Sequence, residues 1–169
     1  MGSDGGSLQQ GGARGVSSSQ DLVLSIMEEQ GKADAIDLRN RSPEMDGTGL
    51  IAEESKIPDF NPKQNYEKWP VGSPVRDGGQ VWILLIPHNA AAYVGRPATL
   101  RTLWGLAHTT DPLKAKGWVD PYGTSGLYYL NECYKDDSGL VRQQIYDGGN
   151  EYPASVRPER WKLRSVQEA

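Results

Sequence analysis

The sequence predicts a mainly β protein: two small hairpin-based β modules in tandem, preceded by a flexible Gly-rich tail and short N-terminal helices. Three observations predict it. Residues 73–89, SPVRDGGQVWILLIPHN, and residues 131–144, NECYKDDSGLVRQQ, each set a polar cluster ending in Gly between two strand-like runs. The order aromatic, turn residue, strand, Gly turn, strand, long loop, Pro, closing Trp occurs in both halves. The 169 residues include 20 Gly, 11 Pro, five Trp and eight Tyr but one Phe. Trp and Tyr carry a polar handle suited to half-wet surfaces, so this bias favours recognition surfaces over one large core.

The elements follow in order. Residues 1–17 hold six Gly and read as a flexible tail. Residues 18–56 read as a helical anchor or linker. SSQDLVLSIMEEQ offers Ser18 or Ser19 as N-cap, Leu22, Val23, Ile26 and Met27 recur at helical spacing, and Gly31 is the expected stop. KADAIDLRNR is a second helical piece, and a third, capped by Thr48, ends before Pro58. None is long enough to be stable alone. The segment is either a solvated linker with nascent helix or an anchor that orders on a partner.

From Ile57 the character changes. The first β module is expected over residues 57–108, a Pro/Gly-rich connector over 109–126, the second module over 127–163, and a C-terminal tail over 164–169. Gln80–Ile86 is the clearest strand; Leu127–Tyr134 and Gly139–Tyr146 are weaker, and residues 98–107 read as one or two helical turns. Asp77-Gly78-Gly79 and Gly139 supply the positive φ that tight hairpin turns need. In register, Trp69, Gly72, Val75, Gly79, Trp82, Asn89, Pro97 and Trp104 lie over Tyr128, Asn131, Tyr134, Gly139, Arg142, Asn150, Pro158 and Trp161. A lone hairpin is marginal. Trp69, Trp82, Trp104 and Trp161 are therefore expected as core.

The net charge of −4 argues against duplex nucleic acid as a partner. No stretch is apolar over the length of a membrane span, and the start lacks the apolar region of a signal peptide. A lone cysteine, Cys133, excludes an intramolecular disulfide and a cysteine zinc cluster. His88 and His108 lack a third ligand at interpretable spacing, so no metal is expected. Cys133 lies in a strand pattern, Asp136-Asp137 is turn chemistry, and neither a nucleophile elbow nor a phosphate loop occurs. No catalytic activity and no cofactor are expected.

The series Trp69, Gly72, Val75, Gly79, Trp82, Pro97, Trp104 resembles the chitin-binding-type modules of carbohydrate-binding module families 5 and 12. The combination of a short helical segment, MDGT, WPVGSPV and GQVW is similar to small bacteriophage and prophage tail-region proteins. The resemblance implies a non-enzymatic virion structural protein, made in the bacterial cytoplasm and displayed on the phage particle for attachment to host-surface glycan. It implies as partners other virion proteins, further copies of the chain, and cell-surface glycan. Sugar binding needs flat apolar faces with hydrogen-bonding groups beside them. Tyr93, Trp118 and Tyr122, with Asn89 and Asp120, are the candidate platform; the alternative is that these rings join the two modules or meet a neighbouring subunit. Two other roles stay open: a structural spacer, capsid decoration or head fibre without sugar binding, and an accessory module of a glycan hydrolase.

Overall fold

The computed structural model describes the backbone of residues 2–164 and the side chains of residues 19–164. The chain divides into two compact units, Met1–Asp37 and Leu38–Ala169. Helix α1, Gly2–Arg41, is continuous, so the expected tail over 1–17 is helical from Gly2 and the expected stop at Gly31 is passed. Gly31 is not among the positive-φ glycines. A helical Gly costs only about 1 kcal/mol against Ala, and the good helix formers that follow carry the helix on. The tail expected from residue 164 lies, beyond Arg164, outside the described residues.

In the second unit, helix α2 spans Gly47–Ala52. Its N-cap is Asp46, whose Oδ1 accepts from Gly49 N at 2.8 Å, and not the expected Thr48. Thr48 Oγ1 instead accepts from Thr110 N at 2.9 Å. Leu38, Leu50, Ile51 and Ile57 pack with Val81 and Ala107 into one apolar cluster. Residues 38–56 are thus part of the globular body.

The first sheet is an antiparallel meander of β1 (Pro74–Asp77), β2 (Gln80–Leu84) and β3 (Trp104–Leu106). The helical turns expected over 98–107 reduce to a short 3₁₀ turn, Pro97–Thr99, after which Trp104 enters a strand. The second sheet orders β4 (Lys116–Gly117), β5 (Cys133–Lys135), β6 (Val141–Gln144) and β7 (Trp161–Arg164). The tandem expectation holds in the register itself. Val75 faces Trp82 as Tyr134 faces Arg142, and Leu84 faces Trp104 as Gln144 faces Trp161. Gly72 at φ 99° and Asn131 at φ 72° make the same turn. Each donates its N–H to the end of the second hairpin strand, to Leu84 O at 2.8 Å and to Gln144 O at 2.9 Å. Pro97 and Pro158 each open a 3₁₀ turn before the closing strand.

The repeat is longer than the sequence pattern suggests. Asp59 bridges Arg76 in parallel, and β4 pairs in parallel with β5, Lys116 with Tyr134 and Gly117 with Lys135. This puts Phe60 and Trp118 in equivalent places. Phe60 stacks on Tyr66 at 15° and meets Trp104 edge-on at 89°; Trp118 stacks on Tyr128 at 10° and meets Trp161 edge-on at 79°. The counterpart of Tyr128 is therefore Tyr66 and not Trp69. Each triad fills the space over a three-strand meander too small to close by itself. Trp82, Trp104 and Trp161 are buried, and Trp69 is half-buried, packed edge-on against Tyr66 at 4.6 Å with the Arg39 guanidinium 4.0 Å from its ring. Thr109 bridges Cys133, Gln80 Nε2 donates to Gly117 O at 3.1 Å, and Lys116 pairs with Glu54 at 2.7 Å. The two modules therefore share one body.

Candidate ligand-binding surface

The loop after β6 is built around two buried amides. Gln144 is fully buried, and its Nε2 donates to the carbonyls of Tyr146 at 2.9 Å and Gly148 at 2.7 Å. Asn150, also fully buried, accepts on Oδ1 from Tyr152 N and from Arg160 Nη1, both at 3.1 Å. Polar groups buried this deeply hold their partners tightly, because losing a bond inside costs the full desolvation penalty. The loop is a defined shape.

On that support lies a surface with flat rings and donors. Gly148, at φ 144°, has no Cβ, and one there would meet the Tyr146 ring at 3.3 Å. A Cβ on Gly149 would meet Leu127 at 2.8 Å and the Tyr129 ring at 3.4 Å. Tyr146 and Tyr129 are thus laid against a Gly-Gly floor, yet stay 38% and 51% exposed. The Arg160 guanidinium sits 4.0 Å from the Tyr146 ring centre. Such a cation on a π face is held in place by the ring quadrupole and keeps N–H edges for hydrogen bonding. Tyr129 N donates to Glu132 Oε1 at 2.7 Å, which holds the backbone that carries the second ring. Burial, reinforced by the Asp46 carboxylate, pushes the Glu132 carboxyl up to about 7.

Of the residues expected as one platform, the structure joins Trp118 and Asp120 directly. Tyr93 is 46% exposed on the first module, its ring edge-on to His88 at 5.3 Å. Asn89 caps the 3₁₀ turn Ala90–Ala92, accepting from Ala91 N at 3.1 Å. Trp118 is half-buried in the second module's triad, and its Nε1 donates to Asp120 Oδ1 at 2.7 Å. Tyr122 is 58% exposed in a tight turn closed by mutual backbone bonds with Ser125. Among the described residues no ring contact joins Tyr93, Trp118 and Tyr122 to one another. The sequence reading missed Tyr129 and Tyr146; the signal was GG at 148–149 beside two tyrosines, legible only once the loop is closed.

His108, His88 and Cys133 are buried in the body. Burial holds the His108 imidazole down to about 4; it stacks on Tyr128 at 3.6 Å and donates from Nε2 to Gly126 O at 2.9 Å. His88 Nδ1 donates to Ile86 O at 2.7 Å. Burial pushes the Cys133 thiol up to about 11, so it is a poor nucleophile at neutral pH. A concavity of about 460 Å³ beside the first hairpin contains Glu54, Asp59, Arg76, Asp77 and Arg96. Its charges satisfy one another: Arg96 with Asp77 at 2.7 Å, Arg76 with Asp59 at 3.3 Å, and Glu54 with Lys116.

No protein-family model matches the chain, and no curated protein is recognisably similar to it.

No helix among the described residues is long and apolar enough to cross a membrane.

Proposed function

We propose that this chain is a non-enzymatic structural protein of a bacteriophage particle whose second β module attaches to host-surface glycan. One observation carries the glycan reading: the exposed Tyr129 and Tyr146 rings against the Gly148–Gly149 floor, with Arg160 stacked beside them. Ring faces take the C–H side of a pyranose, while the guanidinium and the exposed backbone of Gly149 offer partners to its hydroxyls. The virion assignment rests on the sequence resemblance. Shallow single-site sugar binding is weak, and display in many copies raises avidity through effective concentration.

A second reading, a structural spacer or capsid decoration without sugar binding, is favoured by the first module. Leu85 N and Ile145 N make equivalent bonds, to Leu103 O and Arg160 O, so Ile86 occupies the place of Tyr146. There the first module exposes the aliphatic side chains of Val71, Leu85 and Ile86. The test is retention of the full chain on insoluble chitin and on Gram-positive cell walls. Tyr146→Ala and Tyr129→Ala should each lower retention by up to about tenfold while tryptophan fluorescence stays native, in line with ring stacking worth about 0.5–1.5 kcal/mol. Native-level retention by the folded double variant, or no retention of the wild type on any wall, overturns the glycan reading.

A further inference from the structure

We propose that the sugar taken by the second module is acidic, its carboxylate or phosphate group received by Arg157 and Arg160 while its ring lies on Tyr146. The inference rests on the glycan reading of that surface. The duplication supplies an internal comparison. Arg96 and Arg157 stand just before the equivalent 3₁₀ turns that Pro97 and Pro158 open. Each guanidinium lies 5.3 Å from the centre of an aromatic ring, Phe60 for Arg96 and Tyr152 for Arg157. In the first module the charge is neutralised: Arg96 donates to the Asp77 carboxylate from Nη2 at 2.7 Å and from Nε at 3.0 Å. Asp136 holds the same place in the second module, two residues beyond Tyr134 as Asp77 is two beyond Val75. Its carboxylate is bonded elsewhere. Arg142 stands opposite Tyr134 where the first module has Trp82, and Arg142 Nε donates to Asp136 Oδ2 at 3.1 Å. Arg157 is thereby left exposed, with no carboxylate partner among the described residues.

Arg160 is the second cation, and it has no counterpart in the first module, where Leu103 makes the equivalent strand bond. Its Nη1 donates to Asn150 Oδ1 at 3.1 Å and its guanidinium carbon lies 4.0 Å from the Tyr146 ring centre, so it is held from an edge and a face. Asn150 Oδ1 also accepts from Tyr152 N, which ties both ring–cation pairs to one buried amide. Asp147, Glu151 and Glu159 are exposed nearby in sequence, yet none of them pairs with Arg157 or Arg160. A guanidinium presents its N–H donors as a planar fork that fits a carboxylate or a phosphate. Two oriented forks beside exposed sugar-binding rings complement an anionic sugar; a neutral one would use neither charge.

Retention of the full chain on differently treated samples of one Gram-positive cell wall tests this. The samples are untreated wall, wall with its carboxylates amidated by carbodiimide and methylamine, and wall stripped of phosphodiester-linked polymer by cold hydrofluoric acid. Retention should fall about tenfold or more on one of the treated samples, which names the anion. It should also fall on untreated wall as salt rises from about 0.05 to about 0.5 M. Arg157→Gln should keep native tryptophan fluorescence and lower retention on untreated wall about three- to fivefold, as expected of an exposed ion pair. Equal retention on all samples, or retention unchanged by Arg157→Gln, would overturn the acidic sugar and leave the glycan reading in place. Charge-dependent retention that Tyr146→Ala does not weaken would be plain ion exchange and would overturn both, as would no retention on untreated wall.

Discussion

His108 and Glu132 are titratable groups shifted in opposite directions by the same burial. The imidazole is held near 4, below its ordinary value of 6.5, so its neutral form belongs to the fold. Stability from His108 is complete above about pH 6.5 and is lost as pH falls through about 4, by an amount on the order of 3 kcal/mol. Glu132, raised to about 7 from 4.5, works the other way: its protonated form suits the fold, and its contribution is lost as pH rises through about 7. The two trends offset each other between those limits. Chemical denaturation of Glu132→Gln, which keeps an acceptor for Tyr129 N, should therefore lose stability on acidification more steeply than the wild type. Equal slopes would show that Glu132 does not titrate in this range. None of this was legible in the sequence; both shifts arise from desolvation that only the packed body imposes.

At the scale of an element, the turn before each hairpin makes the sharpest statement. Gly72 and Asn131 occupy one structural position at positive φ, and among the described residues Asn131 is the single non-glycine there. Asn tolerates the left-handed region but pays a steric cost that Gly does not. Asn131→Gly should leave thermal stability unchanged or raise it by up to about 0.5 kcal/mol, whereas Asn131→Ala should cost about 1 kcal/mol. A melting temperature equal in the two variants would refute the strain argument. The hairpins themselves were readable because Gly79, Gly139, Pro97 and Pro158 act on their own backbone, within a few residues of the strands they punctuate. The leading parallel segments were not, because Asp59–Arg76 and Lys116–Tyr134 pair residues 17 and 18 positions apart in numbering and leave no local period. That is why Trp118 looked like a loop aromatic and why Trp69, which packs edge-on against Tyr66, stood in the pattern for the triad's central ring: a longer connection between Tyr66 and Gly72 moves that ring away from the spacing seen at Tyr128.

For the whole molecule, the boundary between helix and body is the testable feature. Leu38 is fully buried with Leu50, Ile51 and Ile57, and so belongs to the second unit. A fragment of residues 38–169 should unfold cooperatively with native tryptophan fluorescence. Cutting at residue 57 instead removes three fully buried leucine and isoleucine side chains from the cluster over Val81 and Ala107. Each is worth about 1.5–3 kcal/mol, so that fragment should be unfolded or molten. Equal urea midpoints for the two fragments would show that residues 38–56 are a dispensable linker after all. What residue order alone carried was the duplication, the hairpins and the mainly β class, because turn chemistry and the alternation of strand residues are local. The tertiary structure decided three things: which aromatics make up each triad, where Tyr129 and Tyr146 lie relative to Gly148 and Gly149, and how far the body reaches towards the N-terminus. These depend on which surfaces meet across distant parts of the chain, and burial is a property of the assembled pair, not of either residue's neighbours in sequence.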